Sequence, residues 1–166
     1  MAARRQRLAA SLKKLDLVTG RGRENSLLKL CHAGRLVGGL SVSLGVTPDE
    51  VLGPLAFNLG GAALKLRVLD VRTGHPMVLE IQLGELKEKW EVADVSGLVH
   101  NLNDLFRADE SVKLIAELGE WQDMLQLWCV SRPTLRTLLD RRLLDDARNA
   151  PALVRMLEPP EPRDCD

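Results

Sequence analysis

The sequence predicts an α+β fold, with an antiparallel sheet of about five to six strands, helices packed on one face, and an N-terminal helical hairpin in front. Three observations predict it. Apolar and charged residues alternate on both sides of Thr73-Gly74-His75-Pro76, which is the period of a half-buried hairpin. Val95, Leu98, Val99, Leu102, Leu105 and Phe106 recur at helical spacing and form a stripe that must be covered. With 45% hydrophobic residues in 166, the chain can bury the roughly two-thirds of its surface that one domain of this size needs.

In chain order, residues 3–16 read as a helix with Leu8, Leu12 and Leu15 on one face, ended by Thr19-Gly20-Arg21-Gly22. Asn25 caps a second helix through Leu27, Leu28, Leu30 and Cys31, which Gly34 closes. From Leu36 to Val46, the alternation of Leu40, Val42 and Leu44 among glycines favours a strand, with strand or helix left open over 36–61. Thr47-Pro48-Asp49-Glu50 has capping-box spacing and starts a short helix that Gly53-Pro54 weakens. Leu64, Leu66 and Val68 and then Met77, Leu79, Ile81 and Leu83 form the hairpin arms, and Lys87 to Ala93 extends them into a meander. After the helix Val95 to Phe106 come two strands, Val112 to Leu118 and Asp123 to Val130, separated at Gly119. The second is apolar on both faces (Met124, Leu125, Leu127, Trp128), which suggests a central position. Ser131 opens a helix carrying Leu135, Leu138, Leu139 and Leu143, and a last short helix spans Ala150 to Leu157. The expected organisation is a basic arm over 1–23, one α+β domain over 24–157, and a disordered acidic tail over 158–166.

Composition narrows the function classes. There is no Tyr, and aromatic residues make up 3% of the chain, which disfavours aromatic cages and stacking platforms for single-stranded nucleic acid. Cys31, Cys129 and Cys165 are odd in number and form no C-x-x-C pair, so neither a disulfide framework nor a zinc knuckle is expected. Lys13 and Lys14 interrupt the apolar stretch that an export signal would need after Arg7, and Asp49 and Glu50 split the least charged region, 36–64. The expected location is the cytoplasm, with no membrane partner.

Net charge is zero, but nine Lys and Arg precede Leu36 against only Asp16 and Glu24, so the rest of the chain is acidic. The plainer reading lays this arm on the acidic body of its own chain or of a sister subunit. The alternative has Arg4, Arg5, Arg7, Lys13, Lys14, Arg21 and Arg23 meet nucleic acid. A helix-turn-helix-like string near 36–58, with Leu40 to Val51 at its heart, supports that alternative. Against it, Gly53 and Pro54 fall inside the would-be recognition helix, which offers no Arg, Lys or Gln to read bases.

No phosphate loop and no G-x-S-x-G elbow is present. Cys31 and His32 point about 100° apart on a helix and rarely hold one ion. Asp94, His100, Asn103 and Asp104 form the only polar cluster, read as a solvated helix face. No catalytic residue, metal or cofactor is expected, and the chain is read as a non-enzyme.

The order helix, three or four strands, helix, two strands, helix over roughly 24–144, together with the apolar helix Val95 to Phe106 and the strand pair after it, resembles the class I type III secretion chaperones and the YbjN-like bacterial proteins. The resemblance implies a bacterial, dimeric, non-enzymatic module that holds a partner protein. The basic N-terminal helix and the Gly-rich stretch Val37 to Gly61 depart from that pattern. The expected role is therefore a chaperone-like or regulatory protein-binding module, with Trp90, Trp121 and Trp128 as candidate partner anchors. Core packing is the competing assignment for Trp90 and Trp128.

Overall fold

The structure, a computed structural model, describes residues 8 and 10–158. Arg4, Arg5, Arg7 and the expected tail from 159 onward lie outside the described residues.

Both alternate sides of the segment 114–130 are apolar, and this arranges the fold. It forms β5 (Leu114–Trp121) and β6 (Met124–Val130), an antiparallel hairpin with β6 also pairing β1 (Gly39–Ser43), so the order is β1-β6-β5. One face of this sheet carries Ile115, Leu125, Leu127 and Cys129 into a first cluster; the other carries Leu114, Ala116, Leu118, Trp128 and Val130 into a second. A sheet that is apolar on both sides must be covered on both sides. The strand expected to be central, β6, is the middle strand of its sheet.

The remaining strands, β2 (Arg67–Arg72), β3 (Met77–Leu83) and β4 (Leu86–Val92), form a separate antiparallel sheet of order β2-β3-β4. The expected single sheet of five to six strands is therefore corrected to two sheets of three. The physical reason lies in the patterning: β2–β4 alternate apolar with charged residues and can bury only one face, whereas β1 joins the two-faced hairpin far downstream. Met77, Leu79, Ile81, Trp90 and Val92 turn inward to the first cluster.

Helices lie on both faces of the β1-β6-β5 sheet, which corrects the expectation of one face. The helices α2 (Pro48–Leu59) and α3 (Val95–Leu105) close the first cluster. The second is closed by α1 (Leu27–His32), α4 (Arg132–Asp140), α5 (Ala150–Leu157) and the helical residues 10–14. Leu12 and Leu30 meet there, both fully buried, and Val18 forms an isolated bridge with Leu36. Packing therefore runs across the expected boundary at residue 23.

Local chemistry explains the element limits. Ser26, one residue later than expected, caps α1 by accepting from Lys29 N–H at 3.2 Å. The Thr47 N–H donates to the Glu50 carboxylate at 3.0 Å at the start of α2. This helix continues through Pro54 because Val51, Leu52, Leu55, Ala56 and Leu59 are buried along one stripe while Gly53 and Pro54 face solvent. The turn between β5 and β6 is Gln122-Asp123, both at positive φ (55° and 59°), not Gly119. Gly119 instead sits in a bulge opposite β6.

Candidate functional site

A cleft of about 380 Å³ opens where the β1–α2 turn, the His75 turn, the start of α3 and Arg148 converge. Asp94 caps α3, its carboxylate accepting from Gly97 N–H at 2.8 Å. Behind the cleft lies Glu117, only 5% exposed on β5. A buried carboxylate needs partners, and these are the Ser96 hydroxyl and Arg148, whose guanidinium bridges Glu117 at 3.4 Å and Glu120 at 3.2 Å. The edge of β5 is secured here too: Glu117 N–H donates to Asn149 Oδ1, and Arg148 N–H donates to Glu117 O, both at 2.8 Å. One guanidinium serves two carboxylates here, the buried Glu117 and the half-exposed Glu120. What this network accomplishes is to fasten β5, α3 and the segment before α5 to one another.

The polar cluster read from sequence is dispersed. Asn103 is buried and binds Ile115 in both directions, donating to its carbonyl at 2.9 Å and accepting from its N–H at 2.8 Å. His100 and Asp104 are exposed and line none of the clefts described here. Cys31 and His32 diverge: the thiol donates to the Leu40 and Leu127 carbonyls, while the imidazole faces Ser41 and Gln126, each at 3.5 Å. Burial pushes the Cys31 thiol up to about 11 and that of Cys129 up to about 12. Among the described residues, no group of three His, Cys, Asp or Glu could hold a metal ion, and no helix is long and apolar enough to cross a membrane.

The helix-turn-helix-like reading of 36–58 is corrected. Its first helix would have to occupy residues that form β1, where Gly39 to Ser43 pair with Trp128 to Met124. Only the second element, α2, is helical. Lys13, Lys14, Arg21 and Arg23 are exposed, while Arg35 of the same basic stretch pairs with Glu24.

The three tryptophans divide. Trp128 is fully buried, its indole N–H donating to Val37 O at 2.9 Å, and Trp90 is 7% exposed, bonded to Glu88 at 2.7 Å. As anchors for a partner these two are corrected to core residues, since neither offers surface. Trp121 is half-buried, with Lys29 Nζ 5.2 Å from its ring centroid.

Exposed apolar side chains are concentrated in one stretch of the sequence. Of the eight large apolar side chains left exposed among the described residues, five (Phe57, Leu64, Val68, Leu69 and Leu86) fall between residues 57 and 86. Phe57 is 76% exposed and Leu64 61%. Val68 and Leu69 belong to β2, which is exposed along nearly its whole length and pairs only with β3. Sequence reasoning missed this surface because the alternation of β2 imitates that of a buried-face strand; only its position at the sheet edge leaves Val68 uncovered. It also missed Glu117 and Arg132, whose burial follows from tertiary partners distant in sequence.

No protein-family model, curated protein or solved structure matches the chain.

Proposed function

We propose that this protein is a non-catalytic, dimeric protein-binding module, regulatory or chaperone-like, whose contact surface is the region from α2 to β4. The single observation behind the reading is the concentration of exposed apolar side chains over 57–86, led by Phe57 and Leu64. Apolar surface left uncovered in one stretch of a folded domain marks a site of association. The partners of Glu117 support the non-catalytic part, because its buried acid is committed to Ser96 and Arg148. The likeness of element order to secretion chaperones points the same way.

The test is capture of partners from native extract by full-length protein, with and without nuclease, comparing wild type with Phe57→Ser and Leu64→Ser. A protein retained after nuclease and lost in both variants is the expected result. Capture unaffected by either substitution would remove this surface from consideration. Nucleic acid recovered only without nuclease, and lost on neutralising Lys13, Lys14, Arg21 and Arg23, would favour the basic stretch instead.

A further inference from the structure

The edge strand β2 carries a pattern that its own monomer does not use. Its inward face follows from its partner strand. Val68 stands opposite Ile81 and Val71 opposite Leu79, both fully buried on β3, whereas Arg67, Asp70 and Arg72 stand opposite the outward-facing Gln82, Glu80 and Val78. Between Val68 and Asp70 the register shifts by one residue, leaving Leu69 as the extra residue of a bulge. In a regular strand, positions 67 and 70 would point to opposite faces; the bulge puts both on the outward face. Leu66 and Val71, which pack against the first cluster, occupy the inward one. Counted from the midpoint between Val68 and Leu69, positions 67 and 70 therefore both face outward and positions 66 and 71 both face inward.

That symmetry is what an antiparallel partner of identical sequence requires, because residues directly opposite each other share a face. We propose that β2 pairs with β2 of a second copy about a two-fold axis between Val68 and Leu69, joining the two β2-β3-β4 sheets into one of six strands. In this register each Arg67 stands opposite Asp70 of the second copy on the outward face, and each Leu66 stands opposite Val71 of the second copy on the inward face. At the axis, Val68 stands opposite Leu69 of the second copy, two apolar residues that the monomer leaves 42% and 45% exposed. Charge and facing select this register over its neighbours. Moving the axis onto Asp70 opposes two like carboxylates, and moving it between Leu69 and Asp70 opposes Arg67 with Arg72. Moving it onto Leu69 or Val68 sets outward residues against inward ones.

Within one chain Asp70 has only Arg72 at 3.5 Å, and both side chains are more than half exposed, so the pair is weak and Asp70 is available. The cost of the pairing sits at its ends, where Lys65 approaches Arg72 of the second copy. Lys65 belongs to the 3₁₀ turn Gly61–Lys65 before the strand, so the ladder stops short of that contact.

The inference rests on the reading of 57–86 as an association surface, and its test separates the two. Sedimentation velocity of the full chain over a concentration series would compare wild type with Asp70→Arg, Arg67→Asp and the double exchange Arg67→Asp/Asp70→Arg. Each single substitution opposes like charges twice across the axis, and the double exchange restores two opposite pairs. Wild type should dimerise, each single variant should weaken the dimer by about tenfold or more, and the double variant should recover most of the loss. All four positions on the pair of edges are exposed, so circular dichroism should show unchanged folds. Wild type monomeric at about 100 µM overturns the pairing, as does a dimer indifferent to Asp70→Arg or a double variant no tighter than the singles. A monomer that still captures a partner through Phe57 leaves the binding-module reading standing; a dimer that captures nothing removes that reading alone.

Discussion

Arg132 is the residue whose replacement should reveal most about how the two clusters are tied together. It opens α4 and is 5% exposed, with no carboxylate bound to it. Its guanidinium donates to four backbone carbonyls of the connection between α3 and β5: Phe106, Arg107 at 2.6 Å, Asp109 at 2.9 Å and Val112 at 3.4 Å. Burial lowers its pKa below the usual arginine value, yet an arginine stays charged, and its positive charge lies just past the C-terminal end of α3, where a helix end is negative. In Arg132→Met, the exposed Arg107 carbonyl can turn to water, and the Phe106 and Asp109 carbonyls keep the backbone N–H groups of Asp109 (3.0 Å) and Val112 (3.2 Å), whereas that of the buried Val112 is left without a donor. One orphaned acceptor costs about 1–3 kcal/mol, the lost charge-assisted bonds to the other three carbonyls add to it, and sparing the desolvation of the guanidinium offsets part of this. We expect a net loss of about 1–3 kcal/mol, equivalent to a Tm lower by roughly 2–12 °C for a chain of this size. Urea unfolding followed by tryptophan emission measures it, as a shift in midpoint at constant slope. A loss below about 1 kcal/mol would mean that the loop carbonyls reach water without the arginine, and the assignment of Arg132 as its organiser would fail.

Three further outcomes are expected. Gly38→Ala places a Cβ 2.4 Å from the Cys129 carbonyl at φ +85°, so it should destabilise by about 2–4 kcal/mol, and a melting temperature equal to that of the wild type would contradict it. Glu24, held below the usual carboxylate range by backbone hydrogen bonding and Arg35, and Asp109, held down by Ser111, favour the folded state above the ordinary carboxylate pKa and lose that contribution as pH falls through their folded values. Glu24→Gln with Asp109→Asn should therefore flatten the acid limb of stability against pH, and an unchanged limb would refute it. Cys31 and Cys129, with thiols raised to about 11 and about 12, should resist alkylation at pH 8 until the chain unfolds; peptide mapping that finds either labelled in native protein would show that the sheet opens there.

The elements that were legible in the sequence are those whose signal is local. The alternation from Met77 to Leu83 and the stripe from Val95 to Leu105 each become the element they describe, because each buries a single face, whereas the first hairpin arm, expected over Leu64 to Val68, forms over Arg67–Arg72 with Leu64 in the 3₁₀ turn before it. Asn103 shows where locality ends: its position on α3 is readable, but its bond to Ile115 is not. Strand partnership is likewise a long-range property. Nothing in Gly39 to Ser43 indicates that its neighbour is Met124 to Trp128, and so the number of sheets was not legible. The hairpin at Gln122-Asp123 was missed because neither residue is glycine, while the nearby Gly119 gave a turn signal that belongs to a bulge. For the candidate surface the residues were visible and their exposure was not. Val68 and Leu69 look like any strand interior until the sheet is known to end beside them, while Trp90 and Trp128 are anchors by residue type and core by burial.

The pairing of β1 with β6 has a consequence for how the chain must be made. Synthesis delivers β1 early, and its partner becomes available only after the whole of the β2-β3-β4 meander and α3 have left the ribosome. The meander closes through short loops and can assemble as it emerges, whereas the β1-β6-β5 sheet waits on a long loop closure that depends on the last third of the chain. Until then the apolar residues of both clusters that belong to that sheet are without cover. A nascent chain stalled before Met124 therefore carries a finished meander beside an unpaired strand, and this is the stage at which it is most exposed to misassembly or to a holding factor.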